Sequence, residues 1–309
     1  MTSLDHRPRS VSELIDAAIA LVRRNAVRYA LVAAICLVPA HVVEVVIMRV
    51  TRVDLTSTTT PDFGALGALG AIVAVSIIFL ALLEGALAAA VAQSWEGRDE
   101  VDVASALRVG LRRWLPTLLA IVLKYALLVA FALVGFAVGM IAMVGVMVGM
   151  KGTWSPTDPL MYALVGLVML LGAFAALPAI GRLAVVPLTA ILEPNNPLDA
   201  LRRSSQLTRG LWKHAVGTSA MAFLIAIVPY LGASLLAGLL GSTILEQAVG
   251  VVVSVLLMPV YVASLVALYY DLRIRKEGFD LELMANRLAT AVPDAGPDAP
   301  ATSGARPVA

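Results

Sequence analysis

Three times along this chain a basic, amphipathic stretch runs straight into a long apolar one: residues 10–29, 100–115 and 196–213. Superposed without gaps, these stretches bring Leu21, Leu111 and Leu207 into register, and likewise Arg23, Arg113 and Arg209. Each is followed by enough apolar sequence for two membrane crossings, since about 20 apolar residues cross the hydrocarbon core of a bilayer. Only 14% of the residues are charged and 60% are hydrophobic. A soluble domain, with roughly a quarter of its residues charged, is excluded. Lipid offers no partner to backbone polar groups, so the crossings must be helical.

Six spans follow: 29–50, 65–92, 115–143, 160–192, 215–240 and 248–270. The third apolar run, 115–150, is too long for one upright helix and too short for two with a turn. Charge decides how to read it. With six spans, the four segments on one face carry five, four, four and five Lys and Arg, against only Arg49, Arg52 and Lys151 on the other. Dividing the third run would put the 202–213 cluster outside and break the positive-inside rule. One long helix projecting beyond the outer leaflet is therefore expected, with both termini cytoplasmic. The first 25 residues are polar and basic, the wrong order and spacing for a cleaved signal peptide.

The outer segments 51–64 and 151–159 carry Thr, Pro and Gly loop signals. Trp95, Trp114, Trp154 and Trp212 fall at the expected water–lipid boundaries. Residues 1–289 read as one polytopic membrane domain. Residues 290–309, rich in Pro, Ala and Gly without apolar periodicity, read as a disordered cytoplasmic tail. Arginine outnumbers lysine 19 to 4 amid abundant Ala and Val, which points to a high-GC bacterium and its plasma membrane.

Within the basic stretches apolar residues recur at helical spacing behind Ser10 or Ser12, behind Asp102, and behind the Asn196-Pro197 pair, all good helix starts. Arg23, Arg24, Arg112, Arg113, Arg202, Arg203 and Arg209 stand towards their C-terminal ends, where they suit the helix dipole and an anionic leaflet. Two explanations stay open. The helices are topology anchors of the kind any multipass protein carries, or the chain is an all-α membrane protein of three parallel repeats, each an interfacial helix plus two spans.

Chemistry is sparse. His6, His41 and His214 share no helix face at metal-ligand spacing, and no phosphate loop, nucleophile elbow or Cys/His pair is present. The lone Cys36 excludes an intrachain disulfide. No catalytic residue, metal, cofactor or nucleic-acid partner is expected. Glu84, Lys124 and Arg182 stand out, each 8–10 residues from the inner end of its span. At 1.5 Å per residue that is roughly 12–15 Å deep. Ionisable groups at such depth pair or line a polar cavity, so Glu84 is expected to pair with Arg182, Lys124 or both. The trio is then a structural salt bridge or a site for an anionic ligand such as a lipid phosphate. Gly85 and Gly181 would allow close helix approach, as would Gly135-xxx-Gly139. Pro39, Pro178, Pro187, Pro229 and Pro259 mark breaks or bends.

The third basic stretch reads EPNNPLDALRRSSQLTRGLW from Glu193 to Trp212, and the sixth span ends ALYYDLRIRKEGFDL from Ala267 to Leu281. With the opening RPRSVSELID from Arg7 to Asp16 and the 182–193 run, they resemble the bacterial family named for the membrane domain of glycerophosphoryl diester phosphodiesterases, over roughly residues 7–285. In phosphodiesterases that carry this region, chemistry resides in a separate barrel with a His-Arg-Gly start and metal-binding carboxylates. Here His6-Arg7 is followed by Pro8 without an acidic cluster, and only the tail follows Arg287. The resemblance thus implies the membrane part alone. The expectation is a non-catalytic module that binds lipids, through anionic headgroups, or partner proteins, a second copy included. The alternative is a small-solute or lipid transporter; a glycerophosphodiester-related role rests on the family name.

Overall fold

The computed structural model describes residues 8–51, 63–95, 97–149, 159–193, 195–239 and 243–278, and every regular element among them is a helix. The first, α1 (Val11–Arg24), starts with a capping box. Ser10 Oγ accepts from the Glu13 backbone at 3.4 Å while the Glu13 carboxylate accepts from the Ser10 N–H at 2.8 Å. Its stripe Leu14, Ile15, Ala18, Leu21 and Val22 is buried, and the helix packs along α9 (Thr243–Glu277) and α8 (Trp212–Gly238). The stripe therefore meets protein. Arg23 and Arg24 remain on the exposed face.

Six helices are long and apolar enough to cross a membrane, which makes this a multi-pass membrane protein. After Asn25 come α2 (Ala26–Thr51) and then α3 (Phe63–Trp95). The third run is one unbroken helix, α4 (Val103–Gly149), about 70 Å long at 1.5 Å per residue. It takes in the second basic stretch, which is no separate interfacial helix. Its cap is Asp102, whose side chain accepts from the Ser105 N–H at 3.1 Å. The leucine register differs accordingly: Leu21 and Leu207 are 5% and 1% exposed, whereas Leu111 is 58% exposed. Inside a continuous helix, the face that packs is set by α3 and not by a separate docking event.

The fourth run is not one helix. It divides into α5 (Pro159–Arg182) and a largely buried α6 (Val186–Leu192), joined by a turn at 183–185. Pro187 lies at the start of α6, where its missing N–H costs nothing. The freed Arg182 carbonyl accepts from Ser204 Oγ at 2.7 Å, so the break leaves no orphan there. Pro39, Pro178, Pro229 and Pro259 sit inside continuous helices. Beyond α6, α7 (Pro197–Leu207) buries Ala200, Ser204 and Leu207 and packs on α6 and α4. Like α1, it turns its apolar stripe to the bundle.

Glycines decide how closely the spans approach. Gly85 of α3 meets Gly110 of α4, where a Cβ would come within 3.2 Å of the Gly110 Cα. Gly135 faces Gly172 of α5, and Gly139 faces Val168, so this face packs inside the bundle. A Cβ on Gly181 would lie 2.6 Å from the Trp212 carbonyl. The expectations for the 290–309 tail, Trp154 and the segments 52–62 and 150–158 lie outside the described residues.

Candidate functional site

The sequence motif at the end of α9 builds a clamp at the basic end of the bundle. Asp271, 2% exposed, accepts from the Arg9 backbone N–H at 2.8 Å, pairs with Arg275 at 2.7 Å and meets His214 Nε2 at 3.0 Å. Arg275 also donates to the Arg9 carbonyl at 2.6 Å. A second hub is Glu193, which accepts from Tyr269 Oη at 2.8 Å and from Arg203 Nε at 2.9 Å. Arg203 reaches on to Glu277 at 2.5 Å, and the Glu277 hydrogen bond, with Glu193 adding to it, raises its pKa above the ordinary guanidinium value. Arg203 is therefore a structural tie, although the sequence places it on the membrane surface. Arg202, at 78% side-chain exposure, and the exposed Arg23, Arg24, Arg112 and Arg209 keep the surface role open to them. Arg113 is half-buried.

Trp95 belongs to this clamp too. It is 8% exposed and stacks on Tyr270 with ring centroids 5.2 Å apart, and it is not a lipid-boundary ring. The reason is partner choice: an indole at a helix end can face headgroups or a neighbouring ring, and hydropathy does not separate the two.

Deeper in the bundle the charged trio separates. Glu84 is 6% exposed, and among the described residues no hydrogen bond or ion pair reaches its carboxylate. Lys124 and Glu84 interact as charges across more than the 4.0 Å of an ion pair, while the Lys124 ammonium lies 5.5 Å from the Tyr125 ring centroid. Arg182 is elsewhere. Its side chain is exposed, makes no ion pair among the described residues and lines a cavity of about 220 Å³ with Ser205 and residues of α4 and α5. Of the two partners expected for Glu84, Lys124 interacts with it as a charge, while Arg182 makes no ion pair with it among the described residues. Arg182 is the last residue of α5, immediately before the turn at 183–185 that separates it from α6.

Glu84 instead lines a pocket of about 340 Å³ between α3, α4, α8 and α9. Its wall holds Tyr125, Phe223, Tyr230 and Tyr261, with Leu80, Leu257 and Met258 supplying apolar surface. No oxygen of Glu84 is both enclosed and unpartnered, so the carboxylate is reachable from the pocket. The size falls within the ordinary range for small-ligand sites. Tyr125 and Phe223 are 44% and 54% exposed, so the pocket opens on the side where α4 and α8 face the bilayer.

Towards the other end, a cavity of about 600 Å³ lies between α2, α8 and α9 and is lined by His41, Glu44, Tyr230, Ser234 and Glu246. Glu44 is tied to His41 at 3.1 Å and accepts from Ser76 Oγ at 2.6 Å, so it has partners within the bundle. Tyr230 lines both cavities, and its ring packs on Gly250 of α9. Sequence reasoning singled out Glu84 but not its tyrosines, because four aromatics on three helices leave no trace in local spacing. Among the described residues no group of His, Cys, Asp and Glu could hold a metal ion.

Comparison with protein-family models, with curated proteins and with solved structures gives no match. The resemblance drawn above stands on its residues alone, and those residues, Glu193, Tyr269, Asp271 and Arg273, build the clamp and not the pocket.

Proposed function

We propose that this protein is a non-catalytic membrane module that binds an amphipathic molecule taken from the bilayer in the Glu84 pocket. The observation that carries it is a buried carboxylate with no hydrogen bond or ion pair among the described residues, reachable from a pocket that opens sideways through Tyr125 and Phe223. An unpaired ionisable group at membrane depth is costly and is retained where it serves a ligand. The basic end, with Arg23, Arg24, Arg112, Arg202 and Arg209 on its surface, faces the cytoplasmic leaflet of a bacterial plasma membrane and draws anionic headgroups to itself. In this orientation both termini are cytoplasmic, and the exposed apolar helix faces are the surface for partner proteins or a second copy.

Ala226 lies in the pocket wall, so Ala226→Trp is expected to fill the pocket. Native mass spectrometry of the chain with retained lipids should show an amphiphile on the wild type and at least about tenfold lower occupancy on the variant. Equal occupancy would sink the proposal.

The second cavity favours one further reading, transport, because Tyr230 lines both cavities and both lie along α8 and α9. Proteoliposomes that accumulate a pocket ligand against a control of empty vesicles would establish it; binding without accumulation would reject it.

A further inference from the structure

We propose that the Glu84 pocket is a cage for an ammonium group carried on an alkyl chain. This rests on the pocket being a ligand site, as argued above, and assigns the chemistry of what enters. The sign of the charge comes first. The pocket wall contains one charged side chain, the Glu84 carboxylate, while Lys124 lies outside the lining and Arg182 lines a different cavity. Lys124 interacts with this carboxylate as a charge from outside the lining, so the charged group that a ligand meets in the pocket itself is Glu84, which favours a cation over a phosphate or carboxylate.

The aromatic content comes second. Four of the eleven lining residues are aromatic, in a chain that is 6% aromatic. They come from α4, α8 and α9, so separate helices bring ring after ring to one carboxylate. The electron-rich faces of such rings attract cations, and a cage of them is how proteins bind alkylated ammonium groups, which carry charge but few or no N–H donors. The carboxylate supplies the counter-charge. The protein already uses this chemistry beside the pocket, where the Lys124 ammonium stands 5.5 Å from the Tyr125 ring centroid.

The remaining wall decides what carries the ammonium. Leu80, Ile227, Leu257 and Met258 offer no hydrogen bond, so they suit methylenes. The exposed lip at Tyr125 and Phe223 lets a chain leave into lipid without crossing water.

The test uses the full chain in nanodiscs of phosphatidylglycerol, which contains no ammonium group. Three probes are compared: tetradecyltrimethylammonium, tetradecanol and tetramethylammonium. The chain-bearing cation should bind at least about tenfold tighter than either other probe. Glu84→Gln, close in shape, should erase its margin over tetradecanol, with an unfolding temperature close to that of the wild type to show that the variant is folded. Equal binding of the cation and the alcohol, or an intact margin in Glu84→Gln, overturns the ammonium assignment. Tetramethylammonium binding as tightly as the long-chain cation overturns the alkyl-chain part and makes the ligand a free cation. Failure of the underlying reading looks different: Ala226→Trp would then bind all three probes as the wild type does.

Discussion

Asp271→Ala is expected to free α1 from the bundle and to lower stability by about 3–5 kcal/mol, the scale for removing one partner of a buried charged cluster. The side chain is 2% exposed and joins three parts of the chain: the backbone at Arg9, His214 at the start of α8, and Arg275 on its own helix. Its loss leaves the Arg275 guanidinium without its carboxylate and removes the Asp271 acceptor from the Arg9 N–H. Arg275 would still donate to the Arg9 carbonyl, so the release of α1 should be partial at low temperature. The measurements are thermal unfolding in detergent and hydrogen exchange over residues 11–24. Faster exchange confined to α1, with a lower unfolding temperature, is the expected pair of results. A variant with wild-type exchange in α1 would show that apolar packing of Leu14 and Leu21 alone seats the helix.

Gly110→Ala should be the next most damaging change, at about 1–3 kcal/mol for overpacking. A Cβ at this position would lie 2.8 Å from the Ala86 nitrogen and 3.1 Å from its Cα. Both are backbone atoms, so no side-chain rotation relieves the contact and α3 must move away from α4. Moving α3 disturbs Glu84, two residues from Ala86, so weaker ligand binding in the pocket should accompany the loss of stability. Gly70→Ala is the control, since nothing lies within 4 Å of a Cβ there and alanine is the better helix former. It should be neutral or slightly stabilising in the same unfolding assay. Similar losses in both variants would mean that close α3–α4 approach is not what Gly110 provides.

Six helices long and apolar enough to cross a membrane, the undivided third helix and the starts at Asp102 and Asn196 were legible from residue order and agree with the structure, which also decides between Ser10 and Ser12 in favour of Ser10. So was the isolation of Glu84 as a costly group. What could not be read was where each polar group finds its partner. Arg203 and Arg202 are adjacent in sequence and equally basic, yet one is clamped between Glu193 and Glu277 while the other is exposed. Trp95 and Trp114 share a predicted boundary, but only Trp95 has Tyr270 to stack on. The apolar stripes of α1 and α7 suit lipid and protein equally well, and the direction they face follows from the neighbouring helices.

By itself the sequence determined that this chain crosses a membrane six times as helices, because transfer of apolar residues to lipid and the pairing of backbone groups within a helix are properties of short segments summed along the chain. Only the tertiary structure decided that Glu84 stands apart from Arg182 among tyrosines of α4, α8 and α9. Arg182 ends α5 and lines a separate cavity with Ser205, and the packing of distant helices brings the rings together. Partner choice between residues far apart in sequence depends on distances that hydropathy does not contain.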